Sequence, residues 1–372
     1  MSASAKLPVI AAVAGAGASL AAMASSSTLR AYLSRVLGVS APGGVWRLIA
    51  LVLAAVNLKN LPFMWHIRLF RGLIYQLYLQ PTPFPPHALF QPIITSTRSP
   101  LAECDYNLHK SNSTYFSDLD ISRTHLVTAL LRHGIRQLSK SKNPAERAPG
   151  TEHVPDGSFA IALGAITCHF RREIVPYARF EIWTRLLCWD RKWLYLVSHM
   201  VRPGVAKPPS FTLQPWRRAR GGGHAREMAA EEAEQLRERL KGAVFATSIA
   251  KYVVKKGRWT VPPERVLLNS GLLPGERPDG VAEANGSAVV NGAATAPGEQ
   301  QQQEQPVDGS YVLPAVSTAG DGEWTWEKIE AERQRGLKLA ELFAGLDGLH
   351  DEFNGGVDGA LGEYADMLTP FW

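Results

Sequence analysis

Hydrophobic residues change their spacing several times along the chain, and each change predicts an element. Over 113–137, Leu119, Leu126, Leu130 and Leu131 recur on one face with charged and polar residues between them. That spacing predicts one long amphipathic helix, with Ser113 or Thr114 placed as its cap. The polar run 139–157 then predicts a loop. Residues 159–202 are rich in β-branched and aromatic side chains and predict three strands. Val175-Pro176 separates the first from the second, and a tight turn at Asp190–Lys192 separates the second from the third. After a Pro/Arg/Gly loop and a helix within 203–242, one further strand is predicted over 244–261. A helix embedded early among long strands is an α+β plan, with the sheet covering the helix.

The flanks read differently. Residues 7–23 are uncharged but mostly Ala and Gly, whereas 45–58 and 62–79 mix leucines, aromatics and basic residues as interfacial helices do. Three readings of residues 1–79 compete: a membrane-associating anchor, a mitochondrial targeting signal, and helices packed on the domain. The Pro-rich stretch 80–92 cannot continue a helix and predicts a linker. Next, 94–105 fits a strand entering the folded domain, which spans 93–270. Residues 274–322, rich in Gly, Ala, Pro, Glu and Gln, hold too few large apolar groups to fold and are expected to be disordered. Helical periodicity returns within 323–353, offering Trp326, Ile329, Leu337, Ala340, Leu342 and Leu346 for docking.

Charge sharpens the picture of the N-terminus. No Asp or Glu precedes Glu103, while Lys6, Arg30, Arg35, Arg47, Lys59, Arg68, Arg71 and Arg98 do. The formal charge of +6 is therefore front-loaded, which points to an anionic membrane surface or a targeting signal. Basic and aromatic residues are not interleaved on a folded face, so no nucleic-acid partner is expected. Localisation follows as a membrane, endoplasmic reticulum before mitochondrion. Cys104, Cys168 and Cys188 are widely spaced and odd in number, so neither a disulfide framework nor a metal site is expected. No Gly-x-Ser-x-Gly elbow is present, which leaves a serine hydrolase unsupported.

The stretch from Cys104 to Arg123 carries the candidate chemistry. A strand ending at Asp105, a polar turn with His109 and Asn112, and a helix start bring together parts suited to acyl transfer. A carboxylate beside a carbonyl attacks it or activates a water. Amides at the helix start, around Asn112, Ser113 and Thr114, stabilise the oxyanion. His109 and Asn112 orient the thioester or pin the turn, and Asp105 equally serves as a brace of that turn.

These residues resemble the hot-dog thioesterases related to 4-hydroxybenzoyl-CoA thioesterase. That family shows an Asp, then His four later, Asn seven later, Tyr ten later, and an acid and Arg near fifteen and eighteen later. Here those positions hold Asp105, His109, Asn112, Tyr115, Asp120 and Arg123. Residues 176–201 also look like the family's central hairpin, in particular that of thioesterase superfamily member 6. Leu108 and Ser111 stand where many members have Gly and Asn. The resemblance implies a hot-dog fold, a long central helix wrapped by an antiparallel sheet, here with N-terminal hydrophobic helices and a C-terminal helix. It implies acyl-CoA as substrate, Asp105, His109 and Asn112 as catalytic residues, and Ser113, Thr114 and Tyr115 around the oxyanion. It also implies a homodimer, and no cofactor beyond the coenzyme A of the substrate. A non-catalytic acyl-binding protein on the same fold is the alternative.

Overall fold

The computed structural model describes residues 42–140, 158–206, 208–217, 230–275, 277 and 324–350, with a few isolated positions before residue 42. The expectations for 7–23, for the loop 141–157 and for most of 274–322 fall outside the described residues.

Two helices open the described chain: α1 (Gly44–Val56) and α2 (Met64–Ile74), the latter running into a π-helical turn at Tyr75–Leu79. Strand β1 (Ile93–Arg98) precedes the long helix α3 (Asn112–Lys140). Then follow β2 (Phe159–Phe170), β3 (Arg179–Trp189) and β4 (Trp193–Val201). Helix α4 (Ala230–Ala243) leads into β5 (Val244–Lys256) and β6 (Trp259–Val261), then α5 (Pro263–Asn269) and, at the C-terminal end, α6 (Trp326–Ala344). The strands form one antiparallel sheet in the order β1-β3-β4-β5-β2, with β6 paired to β5. It wraps α3, which is the hot-dog arrangement.

Leu119, Ser122, Arg123, Leu126 and Leu130 share one face of α3 at helical spacing and are all buried. Their partners are the inward residues of the sheet, Phe180, Ile182 and Met200 near the helix start and Leu186, Leu194, Leu196 and Val254 further along. Each fully buried leucine contributes about 2–3 kcal/mol of transfer free energy. A polar row crosses this apolar interface: Ser122 Oγ, Thr184 Oγ1 and Ser198 Oγ are linked at 2.8 Å each.

The opposite side of α3 is covered too. Gly72 of α2 lies where a Cβ would meet the His125 ring, and Gln76 Nε2 is 3.2 Å from His125 Nδ1. Residues 64–79 are thus packed on the domain. Helix α1 is not. Val45, Trp46, Leu51, Leu53 and Val56 are all exposed, as are Phe63, Ile67, Phe70 and Tyr78. At about 1.5 Å per residue the 13 residues of α1 reach about 20 Å, short of a bilayer core of about 30 Å. No helix among the described residues is long and apolar enough to cross a membrane.

Several boundaries differ from those read in the sequence. The entering strand stops at Arg98, not at Asp105, because Pro100 interrupts the ladder and Leu101–Glu103 coil into a 3₁₀ turn. The helix begins at Asn112, so Ser113 and Thr114 lie inside its first turn and are not its caps. The strand over 244–261 is a hairpin, since Gly257 (φ 58°) turns the chain and Val261 pairs back with Val254. The Pro-rich stretch is no spacer: Leu89 is buried, Phe84 packs beside it, and Phe90 stacks on Trp189 at 6.2 Å.

Helix α6 lies on the outer face of the sheet, against β3. Trp326, Ile329, Leu337 and Ala340 are buried as expected, but Leu342 and Leu346 face solvent and Phe343 takes the inward position. The spacing 326, 329, 333, 336, 340, 343 keeps one stripe inward, and 342 and 346 lie off it. Gly336 lets the helix touch the sheet, since a Cβ there would overlap the Leu187 carbonyl. Arg333 donates to the Trp189 carbonyl at 2.8 Å, and Lys251 pairs with Asp347 at 2.6 Å.

Candidate active site

The turn that precedes α3 is closed by its own backbone. Asp105 N–H donates to the His109 carbonyl at 2.9 Å, Leu108 N–H to the Asp105 carbonyl at 3.0 Å, and Cys104 bridges to Lys110. Asp105 Oδ1 accepts the N–H groups of Asn107 at 2.9 Å and His109 at 3.4 Å. Its Oδ2 has no hydrogen-bond partner among the described residues. One oxygen therefore braces the turn, as an Asx residue does, and the other takes no part in it. Leu108 adopts φ 58°, the left-handed region, at the position where the family commonly has Gly. A residue with a Cβ pays about 1–2 kcal/mol for that conformation.

His109 Nε2 lies 2.9 Å from the Glu173 carboxylate, which arrives from the segment after β2. Ser111 N–H donates to the Glu103 carbonyl, and Lys110 N–H to that of Ile174. The turn is thereby stitched on both sides before the helix starts. Asn112 and Ser113 are exposed in the first helical turn. The first N–H groups of a helix have no partner within it. Thr114 N–H, however, donates to Ser111 O at 3.0 Å, and the Thr114 hydroxyl to the same carbonyl at 2.7 Å. Among the described residues the Asn112 and Ser113 N–H groups have no hydrogen-bond partner. Tyr115 is buried edge-on against Phe170, with ring centroids 4.9 Å apart, and burial pushes its hydroxyl pKa up. Arg123 is buried and paired with Asp120 at 2.6 Å.

Beneath the turn sits a cluster that no local pattern announces. Lys59 Nζ lies 2.8 Å from both Glu103 and Asp118, and donates to the Arg98 carbonyl at 2.9 Å. Arg68 pairs with Asp118 at 2.8 Å, Lys110 pairs with Asp118 at 3.0 Å, and Lys110 also pairs with Glu103. The side chains of Asp118 and Lys110 are fully buried. Burial opposes ionisation of Asp118, but the Lys110, Lys59 and Arg68 charges outweigh it and hold the carboxyl below the usual range. The only hint in the sequence is compositional: two of the basic residues of the acid-free N-terminus find their counter-charges at Glu103 and Asp118.

The structure thus brings Asp105 and His109 into one closed turn and sets Asn112 and Ser113 at its exit. It places Thr114 and Tyr115 with their polar groups turned to the protein.

Comparison with known proteins identifies the family. The family profile described as the thioesterase-like superfamily matches residues 99–221, the turn, α3 and the central strands. Thioesterase poxG of Penicillium oxalicum is 36% identical over 319 residues, covering 83% of this chain and 86% of the relative. Protein THEM6 of Xenopus laevis is 31% identical over 99 residues, covering 27% of this chain and 39% of that protein. Among solved structures, the probable thioesterase YbaW from Escherichia coli aligns with a TM-score of 0.28 at 13% identity, over 48% of this chain and 96% of that one.

Proposed function

The chain belongs to the thioesterase-like superfamily, and on that premise we propose that it hydrolyses an acyl-CoA thioester with Asp105 as general base. One observation carries the proposal: Asp105 is fixed through Oδ1 while Oδ2 has no partner among the described residues, on the turn that leads into the helix start at Asn112. In the reaction Oδ2 takes a proton from water, and the hydroxide attacks the thioester carbonyl carbon. The oxyanion rests on the Asn112 and Ser113 N–H groups. Collapse breaks the C–S bond, and the coenzyme A thiolate takes the proton back from Asp105. His109, held by Glu173, keeps the turn in register beside the carbonyl. The scheme needs no metal or organic cofactor.

The second reading, an acyl-binding protein without turnover, draws on Leu108, an exposed side chain at a left-handed turn position where the resemblance implies Gly. Hydrolysis of short, long and aromatic acyl-CoAs by the full chain decides between them. Turnover that falls at least about a thousandfold in Asp105→Asn, with acyl-CoA binding kept, supports the base. A full-length protein that binds acyl-CoA and turns over none of the panel sinks it.

We further propose a homodimer joined along β2. That edge runs 12 residues without a charged residue or proline, the usual guards of a free edge, and leaves Leu163 and Phe170 exposed. Sedimentation showing a monomer at micromolar concentration refutes it. The exposed apolar surface of α1 and α2 supports docking on a membrane surface, with the endoplasmic reticulum favoured over the mitochondrion. Vesicle flotation and imaging of a tagged chain test those two points.

A further inference from the structure

Arg98 and Arg179 stand directly opposite each other where β1 and β3 begin their antiparallel ladder. Both are exposed and on the same face. Like charges so opposed on neighbouring strands destabilise a sheet. Neither arginine has an ion-pair partner among the described residues; Arg179 Nη2 makes one long contact, 3.5 Å, to Ser96 Oγ. The next outward residue on β3, Glu181, is buried and accepts the Trp183 indole N–H at 3.2 Å. A shallow groove of about 280 Å³ opens along the pair, lined by Ser96, Thr97, Arg98 and Arg179.

Backbone and ion-pair contacts connect this groove to the candidate turn. The Arg98 carbonyl accepts from Lys59, whose ammonium also holds Glu103, two residues before Asp105. Ser99 N–H donates to the Ala178 carbonyl at 3.2 Å, and Lys110 N–H to Ile174 at 2.8 Å, so the strand ends and the turn are joined. Seven residues of chain reach about 23 Å when extended, and the 3₁₀ turn at Leu101–Glu103 shortens that path.

We propose that this groove binds phosphate groups of the thioester's carrier, the pyrophosphate or 3′-phosphate of coenzyme A. Two guanidinium forks present parallel N–H donors that match phosphate oxygens, and the Ser96 hydroxyl on the same face supplies a further donor. A bound dianion also removes the repulsion that the paired arginines otherwise impose. The proposal rests on the thioesterase reading and deepens it by locating where the carrier is held. A phosphate at the same place has one other source, the headgroup of a membrane lipid.

The test uses the full chain and the double variant Arg98→Gln/Arg179→Gln. One acyl group is offered on coenzyme A and on N-acetylcysteamine, which carries no phosphate. The expected result is a fall of about tenfold or more in the preference for the coenzyme A thioester, measured as the ratio of kcat/KM values. Raising the salt concentration narrows the same ratio in the wild type. An unchanged ratio overturns the proposal, whether both activities persist or both fall. Loss of flotation with phosphatidylserine vesicles at an unchanged ratio assigns the groove to lipid and overturns it equally. If the wild type hydrolyses neither thioester, the hydrolase reading fails by itself. Calorimetry of coenzyme A then decides the groove: equal affinity in wild type and variant refutes it, and weaker affinity in the variant upholds it.

Discussion

Replacing Asp118 with Asn tests the ion cluster beneath the turn with little change of volume. In the native protein three cations, Lys59, Arg68 and Lys110, converge on two carboxylates, Glu103 and Asp118. The variant leaves Lys59 and Lys110 to share Glu103 and deprives Arg68 of its carboxylate, with both Lys110 and the substituted side chain out of solvent. Removing one partner of a buried pair costs about 3–5 kcal/mol. Domains of this size have about 5–15 kcal/mol in total. Thermal melting of the full chain should therefore drop by about 6–20 °C, at about 2–4 °C per kcal/mol. The double variant Asp118→Asn/Lys59→Met restores the native charge balance and should recover part of the loss, a coupling that a double-mutant cycle reads directly. A pH series adds a sign. Because the folded Asp118 carboxyl titrates below its unfolded value, its stabilisation is present above about pH 4 and is lost as pH falls through the folded pKa. The Asn variant should lack that acid limb. A melting shift under about 2 °C, or a double variant whose losses simply add, would refute the cluster as a stabilising unit.

Three further outcomes are expected. Leu108→Gly relieves about 1–2 kcal/mol of left-handed strain and loses about 0.5–1 kcal/mol to the freer unfolded chain, so a urea midpoint should rise slightly; a fall would mean that the exposed leucine makes contacts worth more than the strain. Gly336→Ala forces α6 off the Leu187 carbonyl and should destabilise by about 1–3 kcal/mol, with Trp326 fluorescence reporting the displacement; an unchanged emission and midpoint would contradict the close approach. Burial, with the Arg185 charge nearby, pushes the His199 pKa down to about 4. Between about pH 6.5 and 4 the unfolded chain binds a proton that the folded one does not, so stability falls as pH drops through that window. His199→Gln should flatten the slope there, and a slope equal to that of the wild type would exclude this histidine as its source.

What the sequence made legible was what depends on neighbours along the chain. The β-branched and aromatic content of β2 to β4 and the leucine spacing of α3 are local signals, and so is the run from Asp105 to Arg123. The boundaries that moved did so for reasons one residue wide. Pro100 ended a strand early, Gly257 turned one strand into two, and Pro263 at the first position of α5 opened a helix where none was expected. Helix α2 read as interfacial because its aromatics and arginines fit that role equally well; only packing on His125 and the Arg68–Asp118 pair distinguish it. The ion cluster was the least legible part. Its partners lie far apart in sequence, Lys59 being 44 residues from Glu103 and 59 from Asp118, and a buried lysine looks the same on paper as a solvated one. In the Pro-rich stretch a signal existed: Phe84, Leu89 and Phe90 are large apolar residues with no reason to sit in a solvated spacer.

Helix α6 is secured by side-chain contacts along its length: Ile329 and Trp326 in the main core, Arg333 on the Trp189 carbonyl, and Arg277 joining Glu264 to Glu330. The peptide linkage through 278–323 contributes none of these. A protease that cuts anywhere in that stretch would therefore not release the C-terminal piece. The two fragments would travel as one particle through a sizing column and part only in denaturant. A synthetic peptide carrying Trp324–His350 should likewise restore a chain that stops before it, making the outer face of the sheet a socket that can be filled in trans.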